Sequence, residues 1–280
     1  MSVFLTGFPG FLGVALTERL LARGETVTCL VQPRYADAAG DRASAVTDRT
    51  GVADDRVSLV TGDITEPDLS MDDAETVRER ATECYHLAAI YDLGVDREPA
   101  EAVNIGGTER VLEFAERADV DRLHYVSTCY VSGRHDGVFG PTDLAVGQSF
   151  NNHYEATKFD AEIAVQERMD EIPTTIYRPA IAVGDSKTGE TTKYDGLYSL
   201  LRLIDRQPGL AVAPAQPPAR RYEFNVVPRD FVVDAIAELS WREDTVDTVF
   251  QLSNPNPPTM RQLLRLCGDA LGRRGLRLPA

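Results

Sequence analysis

A turn with glycine at every third position constrains this chain more than any other feature. Thr6-Gly7-Phe8-Pro9-Gly10-Phe11-Leu12-Gly13 joins an apolar run at 3–5 to an amphipathic stretch at 12–23, so it lies between an expected strand and an expected helix. Gly7 allows a tight turn that a side chain resists, and Gly13 lets the helix pack onto the strand. Gly10 leaves the backbone open to close approach by another group. A strand that turns at once into a helix folded back on it is the first half of a βαβ unit, and it commits the sequence to a parallel sheet.

The pattern then repeats. Short apolar runs at 26–31, 57–60, 84–87, 123–126 and 174–177 read as strands buried on both faces. Helical stretches at 99–117 and 152–169 separate the later ones, and in the first of these Val103, Val111, Leu112, Phe114 and Ala115 share one face. The expected fold is α/β, a doubly wound parallel sheet over 1–180. After Arg178-Pro179 the texture changes: 184–190 is polar and turn-rich, a helix is expected at 194–206, and 213–220 is a loop rich in Pro and Ala. A strand at 224–227, a helix from Asp230, a strand at 249–252 and a helix at 260–271 follow. Residues 181–280 are expected to form mostly a smaller lobe on the carboxyl edge of the sheet, with some segments returning to the core. That edge is where α/β folds bind ligands.

The glycine turn also carries chemistry. A helix that starts at Gly10 presents free N–H groups and the positive end of its dipole, a place for a diphosphate. The turn is therefore expected to hold a dinucleotide through Gly7, Phe8, Pro9, Gly10, Phe11 and Leu12. An acid at the end of the second strand would bind a ribose 2′-hydroxyl, and a base there would pair with a 2′-phosphate. Here the strand ends Leu30-Val31-Gln32-Pro33-Arg34, with no carboxylate and with Gln32 and Arg34 in reach. NADP(H) is favoured over NAD(H). Asp63, after the third strand, has two readings, a contact to the adenine amine or a turn cap.

A second motif, Tyr154-Glu155-Ala156-Thr157-Lys158, puts a phenol and an ammonium one helical turn apart on one face. Tyrosine is too weak an acid to exchange protons at neutral pH, and a neighbouring ammonium lowers its pKa by stabilising the phenolate. The run His124-Tyr125-Val126-Ser127-Thr128 ends in two hydroxyls at the carboxyl edge of the sheet. Thr128 is the expected third member of the site and Ser127 the second choice, with strand-end capping the other reading for one of them.

Taken together, these residues resemble an extended short-chain dehydrogenase/reductase over nearly the full chain. Gly62-Asp63-Ile64, His86-Leu87-Ala88-Ala89, Asn104-Ile105-Gly106-Gly107-Thr108 and Arg178-Pro179 add to the likeness. The resemblance implies a Rossmann domain with Tyr154 as general acid/base, Lys158 as its electrostatic partner and a ribose ligand, and Thr128 positioning a carbonyl. It extends the cofactor groove to Ile64, Ala88, Ala89, Asn104 and Pro179. Val126-Ser127-Thr128-Cys129-Tyr130-Val131, 154–162 and Val227-Pro228-Arg229-Asp230-Phe231-Val232 are similar to the fatty-acyl and thioester reductase branch. The implied substrate is a small-molecule carbonyl or acyl thioester. Two other readings stay open, a sugar-nucleotide epimerase or dehydratase on the same scaffold and a non-catalytic NADP-binding regulator. A homodimer through the helix bearing Tyr154 is a further implication.

Composition narrows the setting. The net charge is −15, and 26 of the 29 basic residues are arginine, the only lysines being Lys158, Lys187 and Lys193. Acid excess with scarce lysine keeps a surface soluble in high salt, so an acidic protein of a halophilic cytoplasm is expected. Nucleic-acid binding, which needs basic stripes, is not. Cys29, Cys84, Cys129 and Cys267 are widely spaced, as for reduced thiols, and no cluster suggests a metal. No membrane span or signal segment is expected. His153, Asn151 and Asn152 precede or start the Tyr154 helix as caps or substrate contacts. The choice of substrate is expected to lie in 136–148 and 185–218.

Overall fold

Nine strands and nine helices account for the regular structure of the described residues, 1–194, 196–206 and 223–272 of a computed structural model. Along the chain these are β1 (Ser2–Thr6), α1 (Phe11–Ala22), β2 (Thr26–Val31), α2 (Ala36–Thr50), β3 (Val57–Thr61), α3 (Ala74–Arg80) and β4 (Glu83–His86). Then come α4 (Arg97–Ala100), α5 (Gly107–Arg117), β5 (Arg122–Val126), α6 (His153–Gln166), β6 (Thr174–Pro179) and β7 (Ile181–Val183). The remainder are α7 (Leu197–Asp205), β8 (Val226–Pro228), α8 (Arg229–Ser240), β9 (Thr248–Leu252) and α9 (Met260–Ala270). Most strand and helix expectations hold to within a few residues. Helix α2 is not marked in the sequence because its exposed, alanine-rich surface buries only Ala39, Val46 and Thr47 and so carries no apolar stripe.

Seven strands form one parallel sheet in the order β3-β2-β1-β4-β5-β6-β9. The order reverses at β1, which pairs with both β2 and β4. Two loops leave the sheet in opposite directions at that switch point and open a crevice. Because all strands run the same way, the segments after β1 to β6 emerge on one edge. Strand β1 is buried on both faces, with Val3, Phe4 and Leu5 fully covered. Phe114 of α5 packs on Phe4 with ring centroids 4.2 Å apart, and burying such a side chain contributes about 1.5–3 kcal/mol.

Helices α4 and α5 are one continuous rod joined by a π-helical turn at Glu101–Gly106. The extra residue in a π turn displaces the side chains there from the ordinary stripe, and such turns recur at functional sites. Here it carries Asn104 inward, 1 % exposed.

The chain divides into two units, one of 1–180 and 229–252, the other of 181–228 and 253–280. In the second, β7 pairs with β8 in parallel, and the Asn225 side chain donates to the Asn254 carbonyl and accepts from the Asn254 nitrogen. Helix α9 begins in a capping box between Thr259 and Gln262. The Pro/Ala-rich loop at 213–220, and residues 195 and 207–218 of the expected substrate-choosing segment, lie outside the described residues. No helix among those described is long and apolar enough to cross a membrane. No group of three or more His, Cys, Asp or Glu among them is placed to hold a metal ion.

Candidate active site

The glycine turn leaves β1 at the switch point and packs on the backbone that follows β4. Gly7 has φ +94°, and a Cβ there would stand 2.9 Å from the Ala88 nitrogen. A Gly10 Cβ would meet the Gly7 carbonyl oxygen at 2.6 Å, and a Gly13 Cβ would collide with the same oxygen. The turn is thus wound around one carbonyl, and all three glycines are required by its own packing. Gly7→Ala should destabilise the fold by about 1–3 kcal/mol, the cost of a strained backbone position, read from the denaturation midpoint.

Helix α1 fits a diphosphate. Its N-cap is Gly10, with no capping side chain and no acid in the first turn, so its leading N–H groups and dipole face outward. Phe11 and Leu12 are half-buried in that turn and Pro9 likewise, whereas the Phe8 side chain is covered to 4 %. The Phe11 ring lies under the Arg229 guanidinium at 5.2 Å.

At the ends of β2 and β3 the expected ribose contacts form a chain. Arg34 Nε donates to Gln32 Oε1 at 2.9 Å, and Gln32 Nε2 donates to Asp63 Oδ2 at 2.8 Å. Arg34 is exposed and lies over the Tyr35 ring at 4.8 Å. Asp63 Oδ1 caps its own turn, accepting from the Thr65 backbone and hydroxyl at 2.9 and 2.8 Å. Ile64 is buried, with its side chain filling the space beside Gly107.

Beyond β4, Ala88 is half-buried and Ala89 exposed. The Leu87 and Ala88 nitrogens each donate to Thr6 Oγ1. Asn104 does not offer its side chain to this groove. Its Oδ1 accepts from Ile90 N at 2.9 Å and its Nδ2 donates to Thr157 Oγ1 at 3.0 Å. A buried amide so fully used is a strut between the 88–90 segment and α6. Pro179 ends β6 and is buried.

Helix α6 starts where its cap dictates. Asn152 Oδ1 accepts from Glu155 N at 2.9 Å, and the Glu155 carboxylate accepts from Asn151 N at 2.8 Å. His153 is then the first helical residue. Tyr154, Lys158 and Glu162 follow at intervals of one turn, all at most 4 % exposed. Tyr154 meets Tyr91 edge-on, ring centroids 4.9 Å apart, and its phenol lies near the Thr128 side chain. Thr128, 4 % exposed, also accepts from Tyr130 N at 3.2 Å.

The charge arrangement departs from expectation at one point. Burial pushes the Tyr154 phenol well above the ordinary tyrosine value, the Thr128 side chain opposes the rise, and Tyr91, Tyr130 and Glu155 add to it. Lys158 does not reverse this in the free protein because the ammonium is itself buried. Burial pulls it down to about 7 against the support of Glu162, and it donates to Tyr125 Oη and the Val126 carbonyl at 2.7 and 3.0 Å. Tyr154 therefore keeps its proton.

Ser127 is drawn to a different partner. Its hydroxyl donates to Glu162, whose carboxylate also takes Arg178 Nη2 at 2.6 Å and Nε at 2.9 Å. Arg178 and Glu162 are both fully buried, and Arg178 Nη1 donates to the Gly140 carbonyl at 3.2 Å. Tyr91, Tyr125, Tyr130 and Glu162 are the site neighbours that sequence reasoning missed. For Glu162 a signal existed, a third polar residue at the same four-residue interval. The tyrosines are brought in only by sheet register and a loop.

Comparison with known proteins adds the lineage. An NAD-binding family model described as male sterility protein matches residues 5–236. The nonribosomal peptide synthetase FrzA of Cladobotryum sp is 30% identical over 256 residues, covering 85% of this chain and 24% of that protein. The chain spans about a quarter or less of the length of FrzA and of three other peptide synthetases that it matches. Among solved structures, the terminal R domain of the myxalamid PKS-NRPS pathway superposes with TM-score 0.86 at 28% identity, over 99% of this chain and 71% of that one. The reductase (R) domain of a nonribosomal peptide synthetase from Mycobacterium tuberculosis shares the fold, with TM-score 0.79 at 23% identity, over 99% of this chain and 72% of that one.

Proposed function

This chain belongs to the male sterility protein family of NAD-binding extended short-chain dehydrogenase/reductases, and we propose that it reduces a carbonyl or acyl-thioester substrate with a nicotinamide cofactor. The observation that carries the reading is a buried Tyr154, kept protonated by that burial, beside Thr128 and one helical turn before the buried Lys158, at the same sheet edge as the glycine turn. When bound, a reduced nicotinamide supplies hydride to the substrate carbon. Thr128 and Tyr154 hydrogen-bond the substrate oxygen, and their hydroxyls stabilise the charge that develops on it. Tyr154 passes its phenolic proton to that oxygen. The Lys158 ammonium offsets the charge left on the phenolate. A tyrosine that holds its proton suits the reductive direction, in which it begins as the acid.

The α1 N-terminus and the Gly7 turn are the places for the diphosphate. For NADP(H) over NAD(H), the support is Arg34, an exposed cation at the end of β2, with the Asp63 carboxylate already bonded to Gln32 and Thr65. Arg34→Ala should raise KM for NADPH about tenfold, the scale of one exposed charge-assisted hydrogen bond, and leave KM for NADH nearly unchanged. Steady-state kinetics with both cofactors reads this out. A cytoplasm of high salt is the setting that the charge of −15 and the scarcity of lysine favour.

The test of the reaction is NADPH oxidation, followed by absorbance, with octanoyl-CoA, octanal and a UDP-hexose. Net oxidation with the thioester or the aldehyde is the expected result. Conversion of the sugar nucleotide without net NADPH consumption would replace this reading with the epimerase one, and binding of NADPH without turnover of any substrate would leave a regulator.

A further inference from the structure

Lys158 is 2 % exposed and Tyr125 is fully buried. A buried ammonium has three protons to place, and two go to Tyr125 Oη at 2.7 Å and the Val126 carbonyl at 3.0 Å. The ammonium also stands 4.4 Å from the centre of the Tyr125 ring, where the π face attracts it. No spacing in the sequence couples the two residues. Parallel pairing of β4 and β5 sets Tyr125 beside His86, and α6 crosses that face of the sheet.

Donors and acceptors around Tyr125 can be followed in one direction only. Thr6 Oγ1 accepts from two backbone nitrogens, Leu87 and Ala88, so its own proton goes to His86 Nδ1, 2.7 Å away. His86 is neutral, burial and the Lys158 charge having pulled it down to about 3. It therefore carries its proton on Nε2 and donates to Thr108 Oγ1 at 3.0 Å. Thr108 accepts that proton and donates its own to the Asn104 carbonyl at 2.6 Å. The Tyr125 oxygen accepts from Lys158 at 2.7 Å, and the neighbouring Thr6, His86 and Thr108 side chains have their protons committed to one another and to the Asn104 carbonyl.

We infer that Tyr125 is a positioning residue for Lys158: its phenol oxygen fixes the ammonium beneath the site and favours its charged form. The inference rests on the reading of Tyr154 and Lys158 as the acid–base pair. The titratable groups facing Lys158 are His86 from β4, Tyr125 from β5, and Tyr154 and Glu162 from α6, with Arg178 of β6 paired to Glu162. His86 is neutral, and burial keeps the phenols of Tyr125 and Tyr154 protonated. The proton affinity of Lys158 is thus set by burial, by Glu162 and by the Tyr125 lone pair. Loss of that lone pair weakens the ammonium's hold on its proton. Activity that needs the ammonium is present below its pKa and lost as pH rises through it, so the alkaline limb of kcat moves to lower pH.

Tyr125→Phe removes the hydroxyl and keeps the ring. With NADPH and whichever of octanal or octanoyl-CoA the native chain reduces, kcat should fall about tenfold or more, the scale of a hydrogen bond to a charged group. The alkaline limb should move down by about one pH unit, the same factor expressed as a pKa, and KM for NADPH should change less than kcat. Tyr85→Phe is the control. Its phenol is equally buried, donates to Glu83 at 3.1 Å and, pairing with His124, lies on the other face of the sheet; the variant should leave the pH profile in place. A Tyr125→Phe enzyme with native kcat and an unmoved profile, or with a loss matched by Tyr85→Phe, overturns the inference while an inactive Tyr154→Phe leaves the acid–base reading standing. An active Tyr154→Phe overturns that reading, and this inference with it.

Discussion

Tyr154→Phe should lose about 10²- to 10⁴-fold in kcat, the range for removal of a positioned general acid, while NADPH affinity stays within a few-fold. The phenylalanine ring keeps the edge contact with Tyr91, so the substitution deletes an acid and little else. What it leaves is Thr128 and the Lys158 charge, which can orient a carbonyl and draw electron density toward its oxygen but cannot deliver a proton in the buried pocket. Stopped-flow or steady-state NADPH oxidation measures the loss, and cofactor fluorescence titration measures the retained affinity. Native turnover in this variant would remove Tyr154 from the chemistry.

Glu162→Ala is the second large effect, on stability. Arg178 is fully buried and takes its strongest bonds from this carboxylate, at 2.6 and 2.9 Å. Ser127 and Gln166 add further hydrogen bonds to it. A buried ion pair returns little net stability relative to an apolar pair, because desolvation offsets the attraction. Removing one partner is different, because a buried charge is then left uncompensated. The expected loss is about 3–5 kcal/mol, read from chemical denaturation. Glu162→Gln, which keeps an acceptor for the guanidinium without the charge, should fall between the two. The same carboxylate supports the Lys158 ammonium, so the alkaline limb of the pH–kcat profile should move down in the milder variant as well.

Much of this site was legible before folding because its chemistry is local. Gly7, Gly10 and Gly13 lie within one turn, and Tyr154 and Lys158 within one helical turn, so spacing alone juxtaposes them. The same was true of the sheet, since apolar runs buried on both faces leave no alternation to misread. Helix α2 escaped notice because it buries so little. The partners of the Asn104 side chain are not legible in the sequence for a different reason. Its motif marks a position near the groove, but only the π turn of 101–106 turns the amide toward Ile90 and Thr157.

From the order of residues come the parallel α/β sheet, the helix N-terminus at Gly10 and the phenol–ammonium pair, all consequences of periodicity and of contacts a few residues apart. Which groups those charges face is a matter of tertiary structure. The register of β4 against β5 sets Tyr125 beside His86, and the packing of α6 puts Lys158 over both. The strand-end geometry of β5 and β6 turns Ser127 to Glu162 and leaves Thr128 for Tyr154. Burial, which exists only once the chain has folded, holds the proton on Tyr154 and weakens the grip of Lys158 on its own.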